Sequence, residues 1–369
     1  MKIFFDHQTF SLQDYGGISR YYSELINAIN NTQADEAHLS LLFTDNIHIR
    51  DVYDKFYSLY NGNSFPRKIS IQYRLNKLFC KYEIKKNNFD IFHATYYDPY
   101  FVNLIRNKPS VVTFLDMIHE RYSNKYLGLA ADRRITKRKR ELAEKSTAII
   151  AISENTKNDI IQLFNVEPEK ISVIPLGSSL QKVATFEPVY SLFSDRPPYL
   201  LFVGNRDYYK NFVWFIKAIC PIIHKYKIHV ICAGGGAFNS QERQLLSTLK
   251  IQDSVIQEPI TDNKLAILYQ NAIAFVFPSL YEGFGIPILE AFTCDCPCIL
   301  SNCSSLPEVA GDAALYIDPE DSETLVNAVE NLYSNNSLRM KLVERGRERL
   351  VSYSWKETAV KTLNLYHSL

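Results

Sequence analysis

The chain has 369 residues, 46% of them apolar and 22% charged, enough material for two hydrophobic cores. Its 41 basic and 40 acidic residues nearly cancel, which excludes the clear basic excess of a general nucleic-acid binder. Residues 1–180 carry net +4 and the remainder net −3, a small bias toward an acidic or membrane-bound partner in the first half.

The opening MKIFFDHQTF reaches Asp6 after three apolar residues, too few for the apolar core of a secretory signal. Apolar runs further on are strand-length, well short of the roughly 20 residues a membrane helix needs. In chain order, KIFF (2–5) reads as a strand, followed by a helical ISRYYSELINAIN. DIFHATYY (90–97), SVVTFLD (110–116), TAIIAIS (147–153) and KISVIPLG (170–177) read as further strands, with a helix over ENTKNDIIQLF. The second half repeats the rhythm with PYLLFVG, IHVICAGGG, SVIQEP, IAFVFPS and CPCILSN as strands. Helices fall on FVWFIKAICPIIHKY, SQERQLLSTLK and KLAILYQNA and after the YEGFG loop. Short strands alternating with helices of 10–15 residues predict βαβ units, and runs such as AFVFP predict parallel strands covered on both faces.

The irregular stretch near 181–197, with Pro188, Pro197 and Pro198, reads as a linker. The expected domains are 1–180, joined by a returning segment 355–369, and 198–354. Two doubly wound α/β domains in series predict a ligand cleft at the carboxyl ends of their strands. Seven cysteines include Cys294, Cys296, Cys298 and Cys303. Alternation would set the first three on one strand face. With no His or second knuckle beside them, they read as structural thiols rather than a metal site, suiting a reducing cytoplasm.

The candidate chemistry concentrates in YEGFGIPILEAF. Pro287 suits the first turn of a helix, and Gly283 and Gly285 permit close backbone approach. The amides from Phe284 through Ile286 and beyond would form a helix N-terminus able to meet an anion. Glu290, one turn in, is placed for two ribose hydroxyls and Glu282 for sugar hydroxyls; taken alone, the same residues also fit a capped helix with a solvated acid. Gly204 ends a strand, with Arg206 and Lys210 on the following loop, where a diphosphate would find a planar fork and a point charge. Gly234 and Gly235 lie in the run that ends the next strand. In the first half, Gly16 and Gly17 fall between the first strand and first helix. They do not form G-x-G-x-x-G.

Together these features resemble the retaining glycosyltransferases of family 4, with the GT-B architecture of two Rossmann-like domains facing a central cleft. The most specific match is EGFGIPILE, Glu282 to Glu290, the family's E-x7-E. GGISRYY, AIIAISENTKNDI (148–160), KISVIPLGSS (170–179), FVGNRDYYKN (202–211), AGGG (233–236) and SLPEVAGDAALYIDPED (305–321) support it. The resemblance implies that Arg206 and Lys210 hold the donor diphosphate, Glu290 the ribose, and Glu282 with the loop amides the transferred sugar. Gly17 would line the cleft on the acceptor side, and SWKETAVKTLNLYHSL would be the helix returning to the first domain.

One departure stands out. Many relatives carry T-x-H-D at a strand end; here TFLDMIHERY puts Leu115 at the His position, keeps Asp116 and places His119 one turn later. The readings left open are that Asp116 orients a hydroxyl, that His119 or His93 serves as the replacement imidazole on the acceptor side, or that both histidines are satisfied packing residues.

The expected reaction moves a hexose from a nucleotide sugar, GDP-mannose first, to a glycan or lipid-linked acceptor in surface polysaccharide or O-antigen synthesis. Retention follows from the resemblance alone; the lack of D-x-D agrees with metal-independent transfer, and no cofactor is expected. The alternative is a non-catalytic nucleotide-sugar or glycan-binding partner subunit on the same fold. Arg133, Arg134, Lys137, Arg138, Lys139 and Arg140 form a basic run expected either as a solvated helix face or as an anionic-membrane contact. The expected location is cytoplasmic, peripheral on the inner face of the membrane if that run binds it.

Overall fold

The computed structural model describes residues 1–32, 34–50, 68–126, 133–183, 197–206 and 208–369. Most of the expected linker (184–196) and the side chain of Arg133 lie outside the described residues. The chain divides into two compact units, Met1–Leu176 with Trp355–Leu369, and Gly177–Ser354.

The first unit holds six parallel strands: β1 (Lys2–Phe5), β2 (Glu36–Leu39), β3 (Ile91–Ala94), β4 (Ser110–Phe114), β5 (Ala148–Ala151) and β6 (Ile171–Val173). Their order is β2-β1-β3-β4-β5-β6. β3, β4 and β5 are buried at every position, as parallel strands between helical layers must be. The helix Glu154–Phe164 begins where the sequence provides a cap: the Ser153 side chain accepts from the Thr156 amide. It ends where Asn165 takes a left-handed conformation. The Trp355–His367 helix buries Thr358, Ala359, Thr362, Leu363 and Tyr366 in this unit, and the Thr358 hydroxyl donates to the Pro175 carbonyl at 2.8 Å.

The second unit carries β7 (Tyr199–Val203), β8 (His229–Ala233), β9 (Val255–Glu258), β10 (Ala274–Phe277), β11 (Cys298–Ser301) and β12 (Ala314–Ile317), again parallel, in the order β12-β11-β10-β7-β8-β9. The Phe212–Tyr226 helix lays Phe212, Phe215, Ile216, Ile219, Ile222 and Ile223 into the core, the three-and-four spacing of one helical face. The order reverses between β7 and β10 here, and between β1 and β3 in the first unit. Such switch points open a crevice at the carboxyl ends of the strands, because the connecting helices leave on opposite faces.

Cys294, Cys296 and Cys298 do not share a strand face. Cys294 caps the Ile286–Thr293 helix, Cys296 lies in the turn and only Cys298 is in β11; all three are buried free thiols. Among the described residues no group of three His, Cys, Asp or Glu side chains is set to hold a metal ion, and no helix is long and apolar enough to cross a membrane.

Candidate functional site

The loops after β7 and β10 meet at the switch point of the second unit, joined by the Leu280 amide donating to the Tyr209 carbonyl at 2.7 Å. Lys210 ends the first loop and Glu282 sits on the second. The Lys210 ammonium donates to Glu282 Oε1 at 2.6 Å, both side chains largely shielded. The ammonium also lies 4.9 Å from the centroid of the Phe277 ring and 5.3 Å from that of Tyr209. A cation and an acid from separate loops, 72 positions apart in sequence, are thus brought together.

The loop after β10 is braced from the segment that follows β11. Ser304 Oγ accepts from the Glu282 amide at 2.9 Å, and Ser305 Oγ donates toward the carbonyls of Glu282 and Phe284 at 2.9 and 3.0 Å. Neither serine stands out in the sequence, because a brace of this kind has no periodicity. Gly285 takes φ +104°, and a Cβ there would come within 3.0 Å of Ile288 Cδ1 and 3.2 Å of Leu306 Cδ2. Only glycine fits this entry to the Ile286–Thr293 helix, whose first turn contains Pro287. Gly283 lies on the same loop. Phe284 is buried, with its ring edge-on to Tyr353 at 5.7 Å between centroids.

Glu290 is not a solvated acid. It is buried, and the Tyr269 hydroxyl donates to its Oε2 at 3.2 Å. Burial, then the neighbouring carboxylate, pushes the Tyr269 phenol well above its ordinary range, which keeps that proton in place.

Arg206 is placed differently from the expectation. Its guanidinium is nearly buried, with Nε donating to Glu242 Oε1 at 2.8 Å and Nη2 to the carbonyls of Gly236, Ala237 and Gly235 at 3.0, 3.2 and 3.3 Å. It also lies 4.8 Å from the Phe238 ring centroid. Most of its five donors are therefore spent on its own unit, and Arg206 braces the glycine turn rather than presenting a free fork to a diphosphate. Glu242, absent from the sequence reading, does double duty: it closes a capping box with Asn239 and orients Arg206. The glycines answer to the same packing. A Cβ on Gly235 would sit 2.5 Å from the Gly204 carbonyl oxygen and 2.8 Å from Arg206 Nη1.

In the first unit a short helix, Gln8–Leu12, intervenes after β1, so Gly16 and Gly17 stand at the entry to the second helix, Gly17–Asn30, rather than the first; no atom lies within 4 Å of a Cβ built on Gly17. His93 does not face an acceptor. It is fully buried, with Nδ1 2.5 Å from the Tyr366 hydroxyl and Nε2 2.9 Å from Thr113 Oγ1. Burial pushes its pKa down to about 3, so the ring is neutral. His119 lies on the short Ile118–Tyr122 helix with Nδ1 buried and unpartnered.

Asp116 is paired with Lys139 while its side chain remains 37% exposed. The Lys139 ammonium reaches the Asp116 carbonyl at 2.9 Å, its carboxylate at 3.4 Å and Glu120 Oε2 at 3.1 Å. Lys139 is only 1% exposed and therefore no part of a membrane-facing surface, whereas Arg134, Lys137, Arg138 and Arg140 are exposed.

The profile described as Glycosyltransferase Family 4 matches residues 15–182, and that described as Glycosyl transferases group 1 matches residues 185–349. The chain is 29% identical over 238 residues to O-antigen chain mannosyltransferase B of Escherichia coli, covering 62% of each chain. It is 32% identical over 185 residues to O-antigen chain mannosyltransferase RfbU of Salmonella typhimurium, covering 50% of each. The chain thus spans between half and two-thirds of the length of these curated relatives. In fold it is similar to HepE from Anabaena, solved in complex with UDP-glucose, with a TM-score of 0.72, 16% identity and 100% coverage of both chains. With both domain types matched in order along a pair of doubly wound parallel sheets, the chain belongs to the family-4 glycosyltransferases of GT-B fold.

Proposed function

We propose that the chain transfers a hexose, mannose from GDP-mannose in the first instance, to a glycan or lipid-linked acceptor of a surface polysaccharide, with retention of configuration and without a metal. The observation that carries this reading is the Lys210–Glu282 pair at the β7/β10 switch point, beside the glycine-entered helix N-terminus. The names of the two mannosyltransferase relatives support the sugar, and the UDP-glucose complex of HepE supports the donor class.

In this reading the transferred sugar's hydroxyls take over Glu282. The Lys210 ammonium, which has three protons, turns one or two of them to the departing diphosphate. Charge growing on the leaving phosphate is met by that ammonium and by the amides at Gly285 and Ile286, held in advance by Ser304 and Ser305. Glu290, kept buried beside Tyr269, receives the ribose hydroxyls. The acceptor hydroxyl attacks the face the phosphate leaves, and the phosphate oxygen takes its proton.

Leu115 at the place of the usual imidazole favours a second reading, a nucleotide-sugar-binding subunit without turnover. A thermal-shift screen with GDP-, UDP- and dTDP-sugars, followed by assay of nucleoside diphosphate release, separates them. The transferase reading expects a raised melting temperature with one base and release of the corresponding diphosphate. Binding without release establishes the second reading, and no shift with any donor rejects both.

A further inference from the structure

The Lys68–Lys86 helix is inside out. Its buried positions are Gln72, Asn76, Cys80 and Ile84, three of them able to hydrogen-bond. Asn76 is anchored on the inside: Nδ2 donates to Ser11 Oγ and the Phe43 carbonyl, both at 2.7 Å, while Oδ1 accepts from the Leu42 and Phe43 amides. The opposite side carries Ile71, Leu75, Leu78 and Tyr82, which are 39%, 37%, 64% and 61% exposed. At about 100° per residue the spacing of 4, 3 and 4 gathers these four into an arc of about 60°. The usual polarity of a helix on a globular unit is reversed.

Charge frames this stripe. The helix holds six Lys or Arg residues and one acid, and that acid, Glu83, is turned to His38 at 3.1 Å. Arg74, Lys81 and Lys85 fall along one edge of the apolar arc. Lys86 lies on the other, its ammonium 4.5 Å from the Tyr82 ring centroid. Lys77 is spent inward, on Asp98 at 2.6 Å.

We infer that this face docks on an anionic membrane surface, with Ile71, Leu75, Leu78 and Tyr82 entering the headgroup–acyl boundary and the flanking cations meeting lipid phosphates. An apolar stripe edged by cations and an interfacial tyrosine suits that layer, where each half of the helix finds its own solvent. A second copy of the chain would set cationic edge against cationic edge. A nucleic acid would leave the apolar stripe unused. The basic run expected from the sequence contributes less, since its helix buries Ile135 and Lys139, and Arg140 donates to the Leu163 carbonyl and stacks on Phe164. The inference rests on the surface of the first unit alone and stands or falls without the donor chemistry.

The test is cosedimentation of the full chain with sucrose-loaded vesicles of phosphatidylcholine containing about 30% phosphatidylglycerol, at low and high salt. The wild-type chain is expected to sediment with these vesicles, less with pure phosphatidylcholine and less at high salt. Leu75→Glu with Leu78→Glu is expected to lower partitioning about tenfold or more while far-UV circular dichroism and melting stay unchanged. Tyr82→Ser, a milder change, serves if the double variant fails to fold, and is expected to lower partitioning severalfold. The inference is overturned if the wild-type chain stays in the supernatant at low salt, or if the folded variants sediment like wild type. It is also overturned if sedimentation velocity shows a dimer that the double variant dissolves, which would assign the face to a second copy.

Discussion

Lys139 shows how far a residue's surroundings can depart from its place in a sequence. In TKRKRELAEK it is one cation among many, yet the fold buries it between Asp116, Glu120 and the Tyr97 ring, 5.1 Å from the ring centroid. Glu120 is itself buried, so removing the ammonium strands a charge. Lys139→Ala is expected to cost about 3–5 kcal/mol in urea denaturation, whereas Lys137→Ala, on the exposed face, should stay within about 0.5 kcal/mol. Equal effects would contradict the placement.

His7 and His93 supply a pH signature. Burial holds both pKa values down to about 3, His7 with additional help from nearby Lys77, against an ordinary value of 6.5. The unfolded chain therefore takes up these protons first, and stability is complete above pH 6.5 and declines as pH falls from 6.5 toward 3. Denaturation midpoints measured between pH 7.5 and 5 should fall on the acid side, before ordinary carboxylates titrate, and His93→Gln should flatten that fall. A flat wild-type profile would show that the rings charge in place.

Among the elements, legibility followed burial. β5 and β10, covered on both faces, read as uninterrupted apolar runs and stand close to where the sequence puts them. β2 and β12 lie at sheet edges and include exposed or half-exposed positions. Glu36-Ala37-His38-Leu39 therefore carries little strand signal, and neither strand was anticipated. The helix over Glu154–Phe164 was legible because Ser153 and Asn165 mark its ends. The site was legible where glycine and proline force a turn, at Gly285 and Pro287, and illegible where a side chain merely supports another, as Glu242, Ser304 and Ser305 do. The glycine turn after β8 tests this reading of elements. Gly235 has φ +69° and faces the Gly204 carbonyl oxygen, so Gly235→Ala combines a left-handed penalty with a backbone clash. It is expected to destabilise the protein by about 2 kcal/mol or more, measured by chemical denaturation. Gly236→Ala, at nearly the same φ of +71° but with no atom within 4 Å of a Cβ, carries the left-handed penalty alone, so the excess cost of Gly235→Ala over it measures the clash.

At the scale of the molecule, one doubly wound design is used twice with different contents at the switch point. The second unit presents a cation, an acid and a glycine-entered helix where β7 and β10 diverge. In the first unit the β1/β3 switch point is filled by its own network: Asp6 accepts from Thr95 and Gln8, and the Gln8 side chain accepts from the Asp98 amide. The reactive groups expected of a sugar-nucleotide site therefore gather in the second unit. The most direct test compares nucleoside diphosphate release from the preferred sugar nucleotide by wild type and by Lys210→Ala. Loss of a charge-assisted contact to the leaving phosphate predicts a rate about a hundredfold lower, measured under conditions where both proteins are fully folded. Equal rates for the two proteins would contradict the central claim that Lys210 and the loop after β10 hold the activated donor.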